Sequence, residues 1–229
     1  MENLPSYVNI VFTLTTFLTT FLFYRATRKS TLSLGIIFIW LSFQSVMGMV
    51  GFYTVTDSTP PRFLLLIGPP LLFIIALFFS RSGRVFLDTL DIKALTLLHI
   101  VRVPVEIVLF WLFMHKYIPD LMTFEGRNFD ILSGVTAPLV YYFGFIKKRL
   151  NNKIIILWNL ACLALLFNIV LNAVLSAPSP FQKFAFDQPN IAVLNFPFVW
   201  LPCCIVPLVL LSHLTTLRQL VHRRGEIKT

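Results

Sequence analysis

Charged residues are scarce in this sequence, and their scarcity excludes a soluble globular protein. Asp, Glu, Lys and Arg make up 13% of the 229 residues, against about 25% in a typical soluble domain. So few charges cannot cover a water-facing surface, whereas a surface that faces lipid does not need them. Hydrophobic residues account for 57% of the chain, and we therefore predict an all-α integral membrane protein.

Familiar catalytic motifs are also missing. The sequence contains no HExxH, GxSxG or P-loop pattern. The last apolar segment contains no lysine, which excludes a retinal Schiff base of the rhodopsin type, and the loops are too short to hold a soluble catalytic domain. These absences favour a protein that is not an enzyme.

Cysteine is rare, and its positions exclude an extracytoplasmic disulfide framework. The three cysteines, Cys162, Cys203 and Cys204, all lie inside apolar segments. We interpret them as small residues of the protein interior.

Seven apolar segments are long enough, or nearly so, to cross a hydrocarbon core of about 30 Å, which takes about 20 helical residues. The first follows no basic segment and is longer than the apolar part of a signal peptide, so we predict that it is a span. The fifth is short and has to run upright or use flanking residues. We predict one polytopic domain over residues 1–229 with a basic tail at 214–229. The predicted spans are residues 5–24, 32–53, 62–79, 92–113, 130–146, 154–176 and 191–213.

Lys and Arg alternate between rich and poor loops and so predict the orientation. Segments 25–29, 81–93, 147–153 and 218–228 together contain 14 of these residues, and the intervening loops contain four. Because cytoplasmic loops carry the excess of positive charge, we predict an external N-terminus and a cytoplasmic C-terminus. The net charge of +9 is divided among separate loops and forms no single basic patch, so we expect no nucleic acid as partner. We expect the protein to lie in a lipid bilayer, specifically a bacterial inner membrane.

The fourth predicted span carries three ionisable residues deep in the membrane. His99, Arg102 and Glu106 are spaced i, i+3 and i+7 and share one helical face. Arg102 lies ~14 Å and Glu106 ~20 Å beyond Lys93 along the helix, too deep to reach the membrane surface easily. An unpaired charge there costs at least ~2.5–3.5 kcal/mol. Arg102 and Glu106 are four residues apart and can pair with each other.

Pro104 lies between Arg102 and Glu106 and predicts an irregular helix. It has no amide hydrogen to donate, and its ring crowds the carbonyl of Ile100. A charged and irregular stretch in mid-membrane is typical of a substrate or proton site. The alternative is a structural ion pair that holds this span against its neighbours.

Polar residues of other spans could line a cavity around these charges. Asn168 and Asn172 lie one turn apart in the sixth span, Gln44 lies in the second, and Thr16 belongs to a polar face of the first. Amides and hydroxyls also commonly join membrane helices without lining a cavity, so both interpretations stay open.

Two predicted outer loops, residues 117–129 and 177–190, combine proline, aromatic residues and charge. The second contains Phe181, Phe184 and Phe186, which favour apolar surroundings. For this second loop, a structured plug or lid is one interpretation, and a loop that lies in the interface with its phenylalanines among the lipid headgroups is the other.

The leading functional hypothesis is transport or sensing of a small polar or ionic solute or a proton at His99, Arg102 and Glu106. Glu106 would exchange the proton, and His99 would relay it. His99 and His213 are predicted at similar depth, so the second hypothesis is a membrane-embedded redox protein or enzyme that uses them as ligands of a b-type haem or a metal. No cofactor is otherwise predicted. The third is a structural or assembly subunit of a membrane complex.

Overall fold

The structure is a computed structural model that describes residues 4–226, with side chains described to residue 222. The protein is 74% helical, and the described residues contain no strand. This confirms the prediction of an all-α protein, and several helical runs are long and apolar enough to cross a membrane. These runs are Ser6–Ala26, Thr31–Met49, Ile92–Met114, Asn152–Ser176 and Leu201–His222.

The described residues form nine α-helices with short irregular pieces between them. A 3-10 turn at His99–Val101 joins the fifth helix to the sixth. A π-helical turn at Tyr141–Ile146 follows the seventh helix, and another at Leu201–Ile205 precedes the ninth. The α-helices are α1 (Ser6–Ala26), α2 (Thr31–Met49), α3 (Leu64–Phe79), α4 (Arg81–Thr89), α5 (Ile92–Leu98), α6 (Arg102–Met114), α7 (Ile131–Val140), α8 (Asn152–Ser176) and α9 (Val206–Glu226).

The third apolar segment ends at a sharp bend. α3 has 16 residues, and α4 turns away from it by 94°. At the bend the Ser80 side chain accepts a hydrogen bond from the Gly83 amide at 3.1 Å and caps α4. A Cβ atom on Gly83 would collide with the Leu77 carbonyl oxygen, so this bend requires glycine. Since α3 with α4 adds at most one more span and Ile131–Ile146 is short, the count of seven and the orientation stay predictions.

The last helix differs in register from the predicted span 191–213. Helical structure begins at Leu201 with a π-helical turn, and α9 continues to Glu226. Pro197 and Pro202 have no amide hydrogen to donate, and each proline ring crowds the carbonyl four residues earlier, so a regular α-helix does not extend through this stretch. Residues 214–226 of the predicted tail therefore belong to α9, and residues 227–229 lie outside the described range.

The fourth predicted span is one continuous helical run from Ile92 to Met114. The run tightens to a 3-10 turn at His99–Val101, where the Arg102 amide donates to the His99 carbonyl. Pro104 explains the tightening, because it leaves the Ile100 carbonyl without its usual donor and the chain adopts the shorter bonding pattern beside it.

A close helix contact positions the charged part of this run. α6 packs against α1 and α7. A Cβ atom on Gly134 of α7 would lie 2.8 Å from a methyl carbon of Val103 and 2.9 Å from its backbone nitrogen. Small residues permit this close approach of membrane helices. The contact brings the start of α7, with Asp130, beside Arg102.

Candidate functional site

A buried ion pair joins α6 to the start of α7. Arg102 Nη1 lies 3.0 Å from Asp130 Oδ1, and the two side chains are only 3% and 7% exposed. The same Nη1 donates a longer hydrogen bond, of 3.4 Å, to the carbonyl oxygen of Cys162 in α8. One guanidinium therefore connects three helices.

Glu106, one turn further along α6, is held by an amide. Asn128 Nδ2 lies 2.7 and 2.6 Å from the two carboxyl oxygens of Glu106 and 3.0 Å from the Met122 carbonyl oxygen. Glu106 and Asn128 are both buried. Among the side chains of residues 4–222, no Lys, Arg or His forms an ion pair with Glu106. A charge on Glu106 would therefore have no cationic partner to offset its burial.

Arg102 and Glu106 do not form the mutual pair that their spacing permits. The guanidinium pairs with Asp130, and the carboxyl accepts from Asn128. The reason is the close contact of α6 with α7 at Gly134, which offers Arg102 a carboxylate on a facing helix.

Asn128 and Asp130 are the two site residues that sequence reasoning missed. Asn128 lies near the end of the 117–129 loop, and Asp130 immediately precedes α7 as the first residue of the predicted span 130–146. A buried arginine needs a carboxylate, and the polar ends of the other spans were the places to search for one.

The 117–129 loop folds into the bundle and does not lie over it. Asn128 Oδ1 accepts a hydrogen bond of 3.0 Å from the Asp130 amide, so one side chain binds both Glu106 and the start of α7. Several residues of the loop are therefore packed inside the protein. The fully buried residues of the loop are Ile118, Met122, Thr123 and Asn128.

The 177–190 loop keeps its phenylalanines on the outside. Phe181, Phe184 and Phe186 are exposed, as side chains among lipid headgroups would be. The end of the loop is anchored, because Asn190 Nδ2 donates to the Ala173 carbonyl at 3.2 Å.

His99 and His213 form a stacked pair in the interior. Their ring centroids are 3.8 Å apart and their planes differ by 15°. His213 Nδ1 lies 2.8 Å from Asn159 Oδ1, and Trp158 packs edge-on against His99. Among the described residues, neither ring nitrogen of His99 nor Nε2 of His213 has a hydrogen-bond partner. The structure therefore brings together two histidines that are 114 positions apart in the chain.

This stacked arrangement does not fit a bis-histidine haem. Axial ligation places the porphyrin between the two imidazoles, and rings 3.8 Å apart leave no space for it. In the part of the chain that the structure describes, no group of three or more His, Cys, Asp or Glu side chains has the geometry of a metal site. The geometry thus gives the haem hypothesis no support.

A small cavity lies beside Glu106. Its volume is about 80 Å³, and its polar lining consists of Glu106, Asp130 and Asn190 among apolar side chains of α3, α6, α8 and α9. Asn190 is fully buried, and its Oδ1 has no hydrogen-bond partner among the described residues. One water needs roughly 10–15 Å³ of such space, so the cavity can hold a few waters or a small cation. It is far below the roughly 300–1,000 Å³ of sites for larger organic ligands.

Thr16 and Gln44, which were predicted to line a polar cavity, lie outside the lining of this one. Thr16 donates to the Phe12 carbonyl of its own helix at 3.1 Å, and Gln44 accepts a hydrogen bond from the Tyr53 hydroxyl. Both therefore use their polar groups locally.

Asn168 and Asn172 also lie outside the cavity lining. Asn168 Nδ2 donates to the Arg127 carbonyl at 2.9 Å, and Asn172 Nδ2 lies 3.5 Å from Asn168 Oδ1. The Asn168 amide therefore joins the 117–129 loop to α8, and Asn172 contacts Asn168 within the same helix.

A family profile matches most of the chain. The family is described as "Domain of unknown function (DUF8737)", and the match covers residues 59–221, more than two thirds of the sequence. The matched range includes the Glu106 cluster and both stacked histidines. No curated protein and no solved structure matches the chain.

Proposed function

The chain belongs to the DUF8737 family, and we propose that it carries protons or a small monovalent cation across a membrane, with Glu106 as the exchanging group. The observation that carries this proposal is the environment of Glu106, a buried carboxyl that faces a small cavity and has an amide as its partner. A bound proton or cation would offset a negative charge that apolar surroundings disfavour.

The charge balance of the cluster supports the same proposal. Arg102 supplies one positive charge to two carboxyl groups, and it lies 3.0 Å from Asp130. Glu106 is the acidic group left over, so it is the one available to exchange a proton or cation. Intramembrane acidic and histidine side chains mark the ion paths of many pumps and transporters.

The stacked histidines extend this polar path toward the end of the bundle that is rich in Lys and Arg. His99 lies three residues before Arg102, a rise of about 4.5 Å along the helix. Neutral imidazole both donates and accepts a proton, which suits a relay. We propose a path that starts at the 117–129 loop, passes Glu106 and continues to His99 and His213.

We also propose the membrane topology that the charges predict. About seven spans place the N-terminus outside, with the 14 Lys and Arg of the rich segments on the cytoplasmic side. α4, bent by 94° from α3, would lie in the cytoplasmic interface with Arg81 and Arg84 exposed.

An assembly role for the span charges is less well supported. Arg102 and Glu106 are both bound inside the chain and are 3% and 1% exposed. Neither side chain is available to pair with a helix of another subunit, so the buried cluster is better explained by an internal function.

Ion flux into liposomes tests the proposal. Purified protein is reconstituted into vesicles that enclose a dye sensitive to H⁺, Na⁺ or K⁺, and a gradient of the same ion is imposed. Wild type should dissipate one of these gradients, and Glu106→Gln should reduce that flux at least tenfold, because it cannot exchange a proton or bind a cation by charge. The thermal unfolding of the variant in detergent should remain that of wild type.

Glu125→Gln is the matched control, because Glu125 is an exposed glutamate of the same loop region. It should keep the wild-type flux. Wild-type flux in Glu106→Gln would remove Glu106 from the mechanism, and an absence of H⁺, Na⁺ and K⁺ flux in wild type would refute transport of these ions.

A further inference from the structure

The end of the molecule that is rich in Lys and Arg contains a second and larger cavity, of about 720 Å³. Its walls come from the end of α1, the turn between α4 and α5, the segment before α8, and α9. The volume falls within the roughly 300–1,000 Å³ of small-molecule sites. It shares no lining residue with the cavity at Glu106, so it is a separate feature.

Four cationic side chains line this cavity, namely Arg25, Arg28, Lys93 and Lys148. They come from three segments that are far apart in the sequence. With the side chains described for residues 4–222, none of the four forms an ion pair. Their positive charge is therefore available to a ligand.

The two carboxylates of the lining are already engaged. Asp88 accepts hydrogen bonds of 3.0 and 2.9 Å from Nε and Nη2 of Arg218. Asp91 caps α5, and its Oδ1 accepts from the Lys93 amide at 2.9 Å. The cavity consequently carries an excess of positive charge, which favours an anion.

Backbone features add to this preference. Asn152, the first residue of the 25-residue helix α8, lies in the lining, so the positive end of a long helix faces the cavity. Arg28 and Lys148 have φ angles of 54° and 52°, which residues other than glycine rarely adopt. Such conformations are concentrated at functional sites, and here they belong to two of the four cations.

The lining also has an apolar part. Leu90, Phe145, Leu150 and Leu220 lie beside the cationic side chains. A ligand with both an anionic and an apolar portion matches this combination better than a bare inorganic ion.

We infer that this cavity binds a phosphate-bearing anion through Arg25, Arg28, Lys93 and Lys148, with its organic part on the apolar side. Guanidinium and ammonium groups form strong, charge-assisted hydrogen bonds with phosphate oxygens. The phosphate belongs either to an anionic lipid headgroup, as in basic sites between membrane helices, or to a free phosphorylated molecule. This inference does not depend on the proposed ion path.

Binding is tested with two probes on the full-length protein in nanodiscs. Phosphatidylglycerol is the lipid probe, and the number of molecules retained is counted by native mass spectrometry. Inorganic pyrophosphate is the free probe, titrated by calorimetry in phosphatidylcholine nanodiscs. Wild type should bind at least one probe, and Arg25→Gln/Lys148→Gln should weaken that binding at least tenfold.

Arg81→Gln/Arg84→Gln is the matched control, because it removes two exposed arginines of α4 that do not line the cavity. It should keep affinity within twofold of wild type. Arg25→Lys/Lys148→Arg conserves the charges and should also bind, which keeps the test valid should the glutamine variant fail to fold. Retention of phosphatidylglycerol alone identifies a lipid headgroup, and pyrophosphate binding identifies a free phosphate. An equal loss in the α4 control, or no binding of either probe by wild type, would overturn the inference.

Discussion

Arg102 and Asp130 are each buried and depend on each other to offset that burial. Arg102→Met should lower the free energy of unfolding by roughly 3–5 kcal/mol, because it leaves the Asp130 carboxylate without a cation. Arg102→Met/Asp130→Leu should recover most of that loss, since an apolar pair needs no compensation. Equilibrium unfolding in mixed detergent and SDS measures both values.

The exposed ion pair between Arg218 and Asp88 provides the comparison. Arg218→Gln should cost less than about 1 kcal/mol, because solvent screens the pair. A double variant at Arg102 and Asp130 that is as unstable as the single variant would show that the two groups do not act as a pair.

A substitution of His99 distinguishes a role in proton relay from a purely structural role. His99→Phe keeps a ring against His213 and removes two nitrogens that have no partner among the described residues. Stability should therefore stay equal or rise, while ion flux in liposomes should fall at least tenfold. His222→Phe, at an exposed position, should leave flux unchanged. Wild-type flux in His99→Phe would remove His99 from the path.

Single residues also show where sequence reasoning reaches its limit. The interior position of His99, Arg102 and Glu106 follows from helix geometry and distance along the span, which the sequence contains. Their partners Asn128 and Asp130 could not be assigned in the same way. They come from a loop and a helix start whose approach depends on packing between elements.

The close contact between α6 and α7 brings the start of α7 beside Arg102. Gly134→Ala should destabilise the protein by roughly 1–3 kcal/mol, because the new methyl group would lie within 3.0 Å of Val103 and has to push the helices apart. Gly35→Ala in α2 is the control, since nothing lies within 4 Å of its Cβ position. It should stabilise the helix by roughly 0.5–1 kcal/mol. Equal effects of the two changes in detergent unfolding would contradict the close contact.

The helix bounds could be predicted from the sequence where the ends of an apolar segment are also the ends of the helix. α1, α2, α8 and the run from Ile92 to Met114 lie near their predicted spans. The last span was predicted to begin ten residues before the helix does, because residues 191–200 are as apolar as a helix but include Pro197. Hydropathy takes no account of the missing amide hydrogen of proline, whereas that missing donor helps to determine where the helix begins.

The proposed orientation of the protein in the membrane can be tested with cysteine labelling. The native cysteines Cys162, Cys203 and Cys204 are all buried, so background labelling should be low. A membrane-impermeant maleimide should label Asp57→Cys in intact cells and Ser82→Cys only after permeabilisation. The opposite pattern would invert the topology, and labelling of both in intact cells would contradict a membrane between them.

The distribution of basic residues illustrates what only the folded chain reveals. Counting Lys and Arg by loop is enough to predict an orientation, because that rule concerns sides of a membrane. The same count treats Arg25, Lys93 and Lys148 as members of separate loops. Their convergence on one cavity depends on how α1, α5 and the segment before α8 pack, which spacing along the chain does not specify.

Asn128 ties two events together that would otherwise be independent. Its amide nitrogen binds the Glu106 carboxyl, and its amide oxygen accepts from the backbone at the start of α7. By thermodynamic reciprocity, an ion whose arrival at Glu106 weakens the first bond also loosens the seating of the loop, and a force that lifts the loop changes the affinity for the ion by the same factor. If Glu106 exchanges an ion as we propose, ion occupancy and the position of the 117–129 loop are therefore thermodynamically coupled through Asn128.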